Sequence, residues 1–131
     1  MQLWMSGEIQ LDVGDAFTTS RKSVERAVNA LLISVDFRAK IAEWAYIAII
    51  LPWHPPDYPE VKKMRARDKS LEFRLDIDHG KFLNGSLADR QHLILDSLAR
   101  SVAMMADLGV NEADRAALNS VLEQVKKSVP L

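Results

Sequence analysis

An α+β fold is what this sequence predicts: one domain of order β-α-β-β-β-α-α, with about four strands packed against three helices. Three observations predict it. Residues 2–11 and 71–78 alternate apolar and polar side chains at the period of a half-buried strand. Three segments beginning at Asp12, Ser86 and Asn111 repeat apolar residues every three or four positions, the stripe of an amphipathic helix. Between them, residues 41–51 (IAEWAYIAIIL) form a continuous apolar run of the kind that a covered central strand shows. At 131 residues the chain fits a single domain over 1–131.

In order along the chain, Leu3, Met5, Ile9 and Leu11 take one face of the first strand. Trp4, Ser6 and Glu8 take the other, with Gly7 a point for a bulge or close approach. Asp12 suits the N-cap of a long helix whose stripe is Val13, Phe17, Val24, Val28, Leu31, Leu32 and Val35. The run 41–51 reads as the second strand, and its alanines leave a buried helix as the alternative. Four prolines between Pro52 and Pro59 forbid helix and central strand alike, so that segment is a stiff loop.

Residues 61–67 and 71–78 predict a hairpin turning at Asp68-Lys69-Ser70. Its first arm is basic, the mark of an edge strand protected against aggregation. In its second arm Leu71, Phe73, Leu75 and Ile77 oppose Glu72, Arg74, Asp76 and Asp78. Asn84-Gly85 breaks the chain, and Ser86 with Asp89 predicts a capping box. The helix that follows carries the stripe Leu87, Ile94, Leu95, Leu98, Val102 and Met105, and Gly109 stops it, with Val110 making the accompanying apolar contact. Asn111 caps the last helix, striped by Leu118, Val121, Leu122 and Val125 and ended by Pro130.

Composition excludes several classes of function. The chain has no cysteine, hence no disulfide framework and no zinc–thiolate site, which suits a reducing cytoplasm. A net charge of -1 argues against a general binder of nucleic acid or anionic membrane. Residues 1–10 lack the basic and apolar regions of a signal peptide, and the run from Trp44 to Trp53 is too short to span a bilayer.

The alternation points to a working surface. If the helices cover one side of the sheet, the opposite register collects Trp4 and Glu8, Trp44 and Tyr46, then Arg74 and Asp76. Aromatic and charged groups on an uncovered sheet are the composition of a protein interface. The alternative is that Trp4 and Trp44 pack beneath a helix on that second face. Trp53 and His54, held in the proline-rich loop, form a second candidate contact, unless Trp53 and Tyr58 simply plug the end of the sheet.

Catalytic and cofactor signatures are missing. There is no glycine-rich phosphate loop and no nucleophile elbow. His54, His79 and His92 lack metal-ligand spacing; Asp76, Asp78 and His79 gather possible ligands, but strand-end carboxylates are more often solvated. Glu8 or Glu43 with His79 makes an acid/base pair only on paper. We therefore expect no enzyme, no metal and no cofactor. The basic arm 62–69 offers an alternative, a small RNA-binding or regulatory module, which near-neutral charge and missing signature aromatics disfavour.

The opening Leu3-Trp4-Met5-Ser6-Gly7-Glu8-Ile9, then Asp12-Val13, Arg21, Val24, Glu25 and Asn29, resembles small bacterial immunity proteins. These are the cognate inhibitors encoded beside polymorphic or contact-dependent growth-inhibition toxins. The resemblance implies a cytoplasmic protein that binds one toxin domain, plugging its active site or holding an exosite. It carries over no particular neutralising residue, since toxin-facing positions vary with the toxin. Many such toxins are nucleases with basic clefts, which Glu8, Glu72, Asp76 and Asp78 would complement.

Overall fold

The structure is a computed structural model that describes residues 2–8, 14–37, 44–50, 61–65 and 70–131. Strand β1 is Gln2–Glu8, helix α1 Gly14–Leu32, β2 Trp44–Ile50, β3 Val61–Arg65 and β4 Ser70–Asp76. Helix α2 is His79–Asn84, α3 Leu87–Met104 and α4 Glu112–Lys127, with a 3-10 turn at Met105–Leu108.

The strands form one sheet in the order β1-β2-β4-β3. β1 and β2 run parallel with α1 between them in the chain, because parallel neighbours need a long crossover. β4 lies on the other side of β2, also parallel, and β3 pairs antiparallel with β4 at the sheet's edge. The apolar run thus supplies an interior strand, and the basic arm an outer one.

All helices serve one core. Val24, Val28 and Leu32 of α1 cluster with Ile94, Leu95, Leu98 and Val102 of α3, with Leu118, Val121, Leu122 and Val125 of α4, and with Phe82 of α2. Leu71, Phe73 and Leu75 of β4 meet them with no accessible surface at all. Burying a side chain such as Phe73 contributes about 1.5–3 kcal/mol relative to leaving it in water. α1 packs on β1, α3 on β2 and β4, and α1, α3 and α4 pack on one another, so these three lie on one side of the sheet.

Local chemistry starts α3 and α4, and stops the 3-10 turn that follows α3, where the sequence predicts. The Ser86 and Asp89 side chains each accept the other's backbone N–H, a complete capping box. Gly109 adopts φ 86°, a conformation that suits glycine, and Val110 N–H reaches back to the Met105 carbonyl at 3.0 Å. Asn111 caps α4 by accepting from Asp114 N–H at 2.8 Å.

The expected fold class needs correction. The α-helices run 19, 6, 18 and 16 residues against strands of 7, 7, 5 and 7, so the described residues are mostly helical. Among the described residues there are four α-helices and a 3-10 turn where the alternating pattern led us to expect an α+β domain with three helices. The addition is α2, within the stretch expected to leave the last strand and turn. β4 ends at Asp76, and Asp78 is no strand residue: its carboxylate caps α2 by accepting from Lys81 N–H at 2.9 Å. Leu87 also departs from its expected place in the core. It stands at the first position of α3, one turn before the buried Gln91, and is 43% exposed. Asp12, the expected cap of α1, lies outside the described residues.

Candidate partner-binding surface

In paired strands, residues directly opposite one another lie on the same face, so register decides which side chains share a surface. Trp4 lies opposite Tyr46, and Tyr46 opposite Glu72, giving one row across three strands. The preceding row on that face joins Gln2, Trp44 and Ser70. The following rows join Ser6, Ala48 and Arg74, then Glu8, Ile50 and Asp76. Six of the residues singled out from sequence, Trp4, Glu8, Trp44, Tyr46, Arg74 and Asp76, therefore occupy successive rows of one face.

That face is opposite to the one on which Leu71, Phe73 and Leu75 are sealed beneath the helices. Glu8 and Asp76 stand on either side of Ile50, roughly 10 Å apart across two strand spacings. All three positions lie at the carboxyl ends of parallel strands. The edge strand adds Lys63 opposite Glu72, while Lys62 falls opposite Phe73 on the other register. The basic arm is thus split between faces. Trp53 and His54 lie outside the described residues, as do Arg67 and Lys69.

A second feature was missed by sequence reasoning, the corner where α2 turns into α3. Arg90 of α3 donates from Nε to the Phe82 carbonyl at 2.8 Å and from Nη2 to the Leu83 carbonyl at 3.1 Å. Asn84 Nδ2 donates to the Gly80 carbonyl at 2.9 Å. A groove of about 350 Å³ opens beside this corner, lined by Lys81 and Asn84 from α2 and by Asp89, His92 and Asp96 from α3. The Ser86 backbone N–H, and then its hydroxyl, hold the Asp89 carboxyl below the usual aspartate range, with a smaller contribution from His92. His92 Nδ1 is buried and has no hydrogen-bond partner among the described residues. Segment 79–84, with a glycine inside it, is too short to show helical periodicity. The signal that was there is Asp78 three residues ahead of Lys81, the spacing of an N-cap.

The family model described as Immunity protein 44 matches residues 1–128. The chain belongs to that family. The match extends the resemblance seen in the opening residues over nearly the whole domain. No curated protein and no solved structure matches the chain.

This is therefore an immunity protein of a toxin system, and its partner is a protein. For such a molecule the feature that matters is a surface, and two are in view, the aromatic-acidic sheet face and the α2–α3 corner. Among the described residues, no group of three or more His, Asp or Glu could hold a metal ion. Among the same residues, no helix is long and apolar enough to cross a membrane.

Proposed function

We propose that this immunity protein neutralises a cognate toxin domain by stoichiometric binding in the bacterial cytoplasm, as an inhibitor that occludes and not as an enzyme. The family match over residues 1–128 is the observation that carries this reading. The rows formed by Trp4, Trp44, Tyr46, Glu8, Arg74 and Asp76 support the sheet face as the docking surface. Aromatic anchors beside charged groups supply most of the binding energy of ordinary interfaces. Placing those groups on a paired sheet limits the ordering cost of association.

Co-expression with the toxin encoded beside this gene tests the function. The expected result is restored growth and co-purification of the two chains. A toxic neighbour that still kills and leaves this protein unbound would remove the reading. Asp76→Lys tests the surface: it should raise Kd by about tenfold or more, that is about 1.4 kcal/mol, with the melting temperature unchanged. A contact centred on the sheet should weaken only modestly with salt, unlike phosphate binding by the basic arm.

A further inference from the structure

The sheet has two outer strands, and their sequences treat strand addition in opposite ways. Every second residue of an outer strand turns its N–H and C=O away from the sheet, a template for pairing with another chain. β3 carries Lys62, Lys63 and Arg65 within its five residues, a common protection against such pairing. β1 has no such protection: Gln2–Glu8 holds no lysine, arginine or proline, and its one charge is at its last residue. Among the described residues β1 pairs with β2 alone, over all seven of its positions.

Laying each outer strand against a copy of itself shows what the free side of β1 fits. Antiparallel and fully overlapped, β3 sets Lys63 opposite Lys63, an unfavourable pair. The same operation on β1 sets Met5 opposite Met5, Trp4 opposite Ser6, Leu3 opposite Gly7 and Gln2 opposite Glu8. No like charges meet. Even positions oppose even ones, so the face that holds the Trp4–Tyr46 row runs on unbroken, with both sets of helices on the other side. On that face β1 and β2 bring a single charge, Glu8, whereas β4 and β3 bring Glu72, Arg74, Asp76, Lys63 and Arg65. Joining two copies at β1 therefore gives an aromatic centre between two charged rims. Helix α1 packs on β1, so the contact has a helical layer beside the paired strands. A strand of seven residues is about 23 Å long and a helix of 19 about 28 Å, which extends the contact well beyond a bare strand edge.

We propose that this protein forms a two-fold dimer through β1, in which Gln2–Glu8 pairs antiparallel with the same segment of a second copy and joins two four-stranded sheets into one of eight. The pairing closes on itself, because it consumes the unprotected edge of each copy and leaves basic β3 at both ends. It leaves the sheet face open, so the docking surface proposed above is doubled and not covered.

The test needs no toxin, so its failure leaves the immunity reading untouched. Sedimentation equilibrium of the full-length protein should show a species of twice 14.7 kDa. Gln2 reports the register, since it meets Glu8 only across the dimer; within one chain the two stand at opposite ends of the strand. Gln2→Glu should raise the dimer dissociation constant about threefold or more, and Gln2→Lys should lower it by a similar factor. Met5→Cys should cross-link when oxidised with diamide, since opposed Cα atoms at about 4.5–5.5 Å suit a disulfide. The chain has no cysteine of its own, so any cross-link reports on that position, and Leu3→Cys, opposite Gly7, should not cross-link. If a cysteine variant misfolds, the two Gln2 variants decide. A wild type that stays monomeric into the millimolar range overturns the dimer, even if added toxin then protects the β1 amides from exchange. A dimer unmoved by both Gln2 variants overturns pairing through β1.

Discussion

Arg90 holds Phe82 in two ways: its Nε donates to the Phe82 carbonyl at 2.8 Å, and its guanidinium carbon lies 5.4 Å from the ring centroid. The same side chain also reaches the Leu83 carbonyl. Arg90→Met keeps the aliphatic stem and removes every donor. We expect a loss of about 1–3 kcal/mol in urea unfolding, the range for hydrogen bonds made by a charged group. Arg90→Lys should recover little of it, because one ammonium cannot serve both carbonyls with a planar fork. A loss below ~0.5 kcal/mol would mean that water replaces the arginine at no cost.

Two glycines of the same corner should respond in opposite directions. Gly85→Ala places a Cβ 2.9 Å from a backbone oxygen and from Asp89 Cβ, so the junction must open, and destabilisation of about 1–3 kcal/mol follows. A Cβ at Gly80 meets only Asp78 Oδ1, at 3.5 Å, an ordinary contact. Gly80→Ala should stabilise by roughly 0.5–1 kcal/mol through helix propensity and a less free unfolded chain. Chemical denaturation of the two variants side by side provides the check.

Gly109 makes a different demand. A Cβ there would meet nothing within 4 Å, yet its φ is 86°, so the cost of substitution is conformational alone. Gly109→Ala should lose about 1–2 kcal/mol, and Gly109→Asn distinctly less, since asparagine tolerates the left-handed region better. Equal losses in thermal unfolding for the two variants would contradict this account.

The Ser86–Asp89 box predicts a pH dependence with a definite sign. Asp89 titrates below its ordinary value of 3.8 in the folded protein. A depressed carboxyl contributes stability that is present above its unfolded value and is lost as the pH falls through the folded one. Stability should therefore drop as pH decreases from near 3.8 downward, and Asp89→Asn should flatten that part of the curve. An unchanged slope in the variant would show that other carboxylates carry the acid transition.

Much of the architecture was legible because it is set by neighbours in sequence. The Ser86–Asp89 box, the stop at Gly109 and the Asn111 cap depend on partners within five residues, and each occurs where composition places it. The alternation Leu71, Phe73, Leu75, Ile77 likewise marks one buried face. Helix α2 escaped because six residues offer less than two turns of periodicity, and the balance of the fold was misjudged with it. The groove beside α2 was equally illegible, since it forms between residues up to 15 positions apart on two helices.

The amino-acid sequence by itself determined the caps of α3 and α4 and the stop at Gly109, which residues of each stripe are apolar, and the likeness to immunity proteins. The first two follow from spacing along the chain, and the third rests on a resemblance of the opening residues to a known family. Tertiary structure alone decided the strand order β1-β2-β4-β3 and its parallel register, and so placed Trp4 opposite Tyr46 and set Glu8 and Asp76 on either side of Ile50. The physical reason is that backbone hydrogen bonds between strands are the same for every residue. The choice of neighbour is made by burying β4's apolar face beneath three mutually packed helices, an energy that no local segment contains.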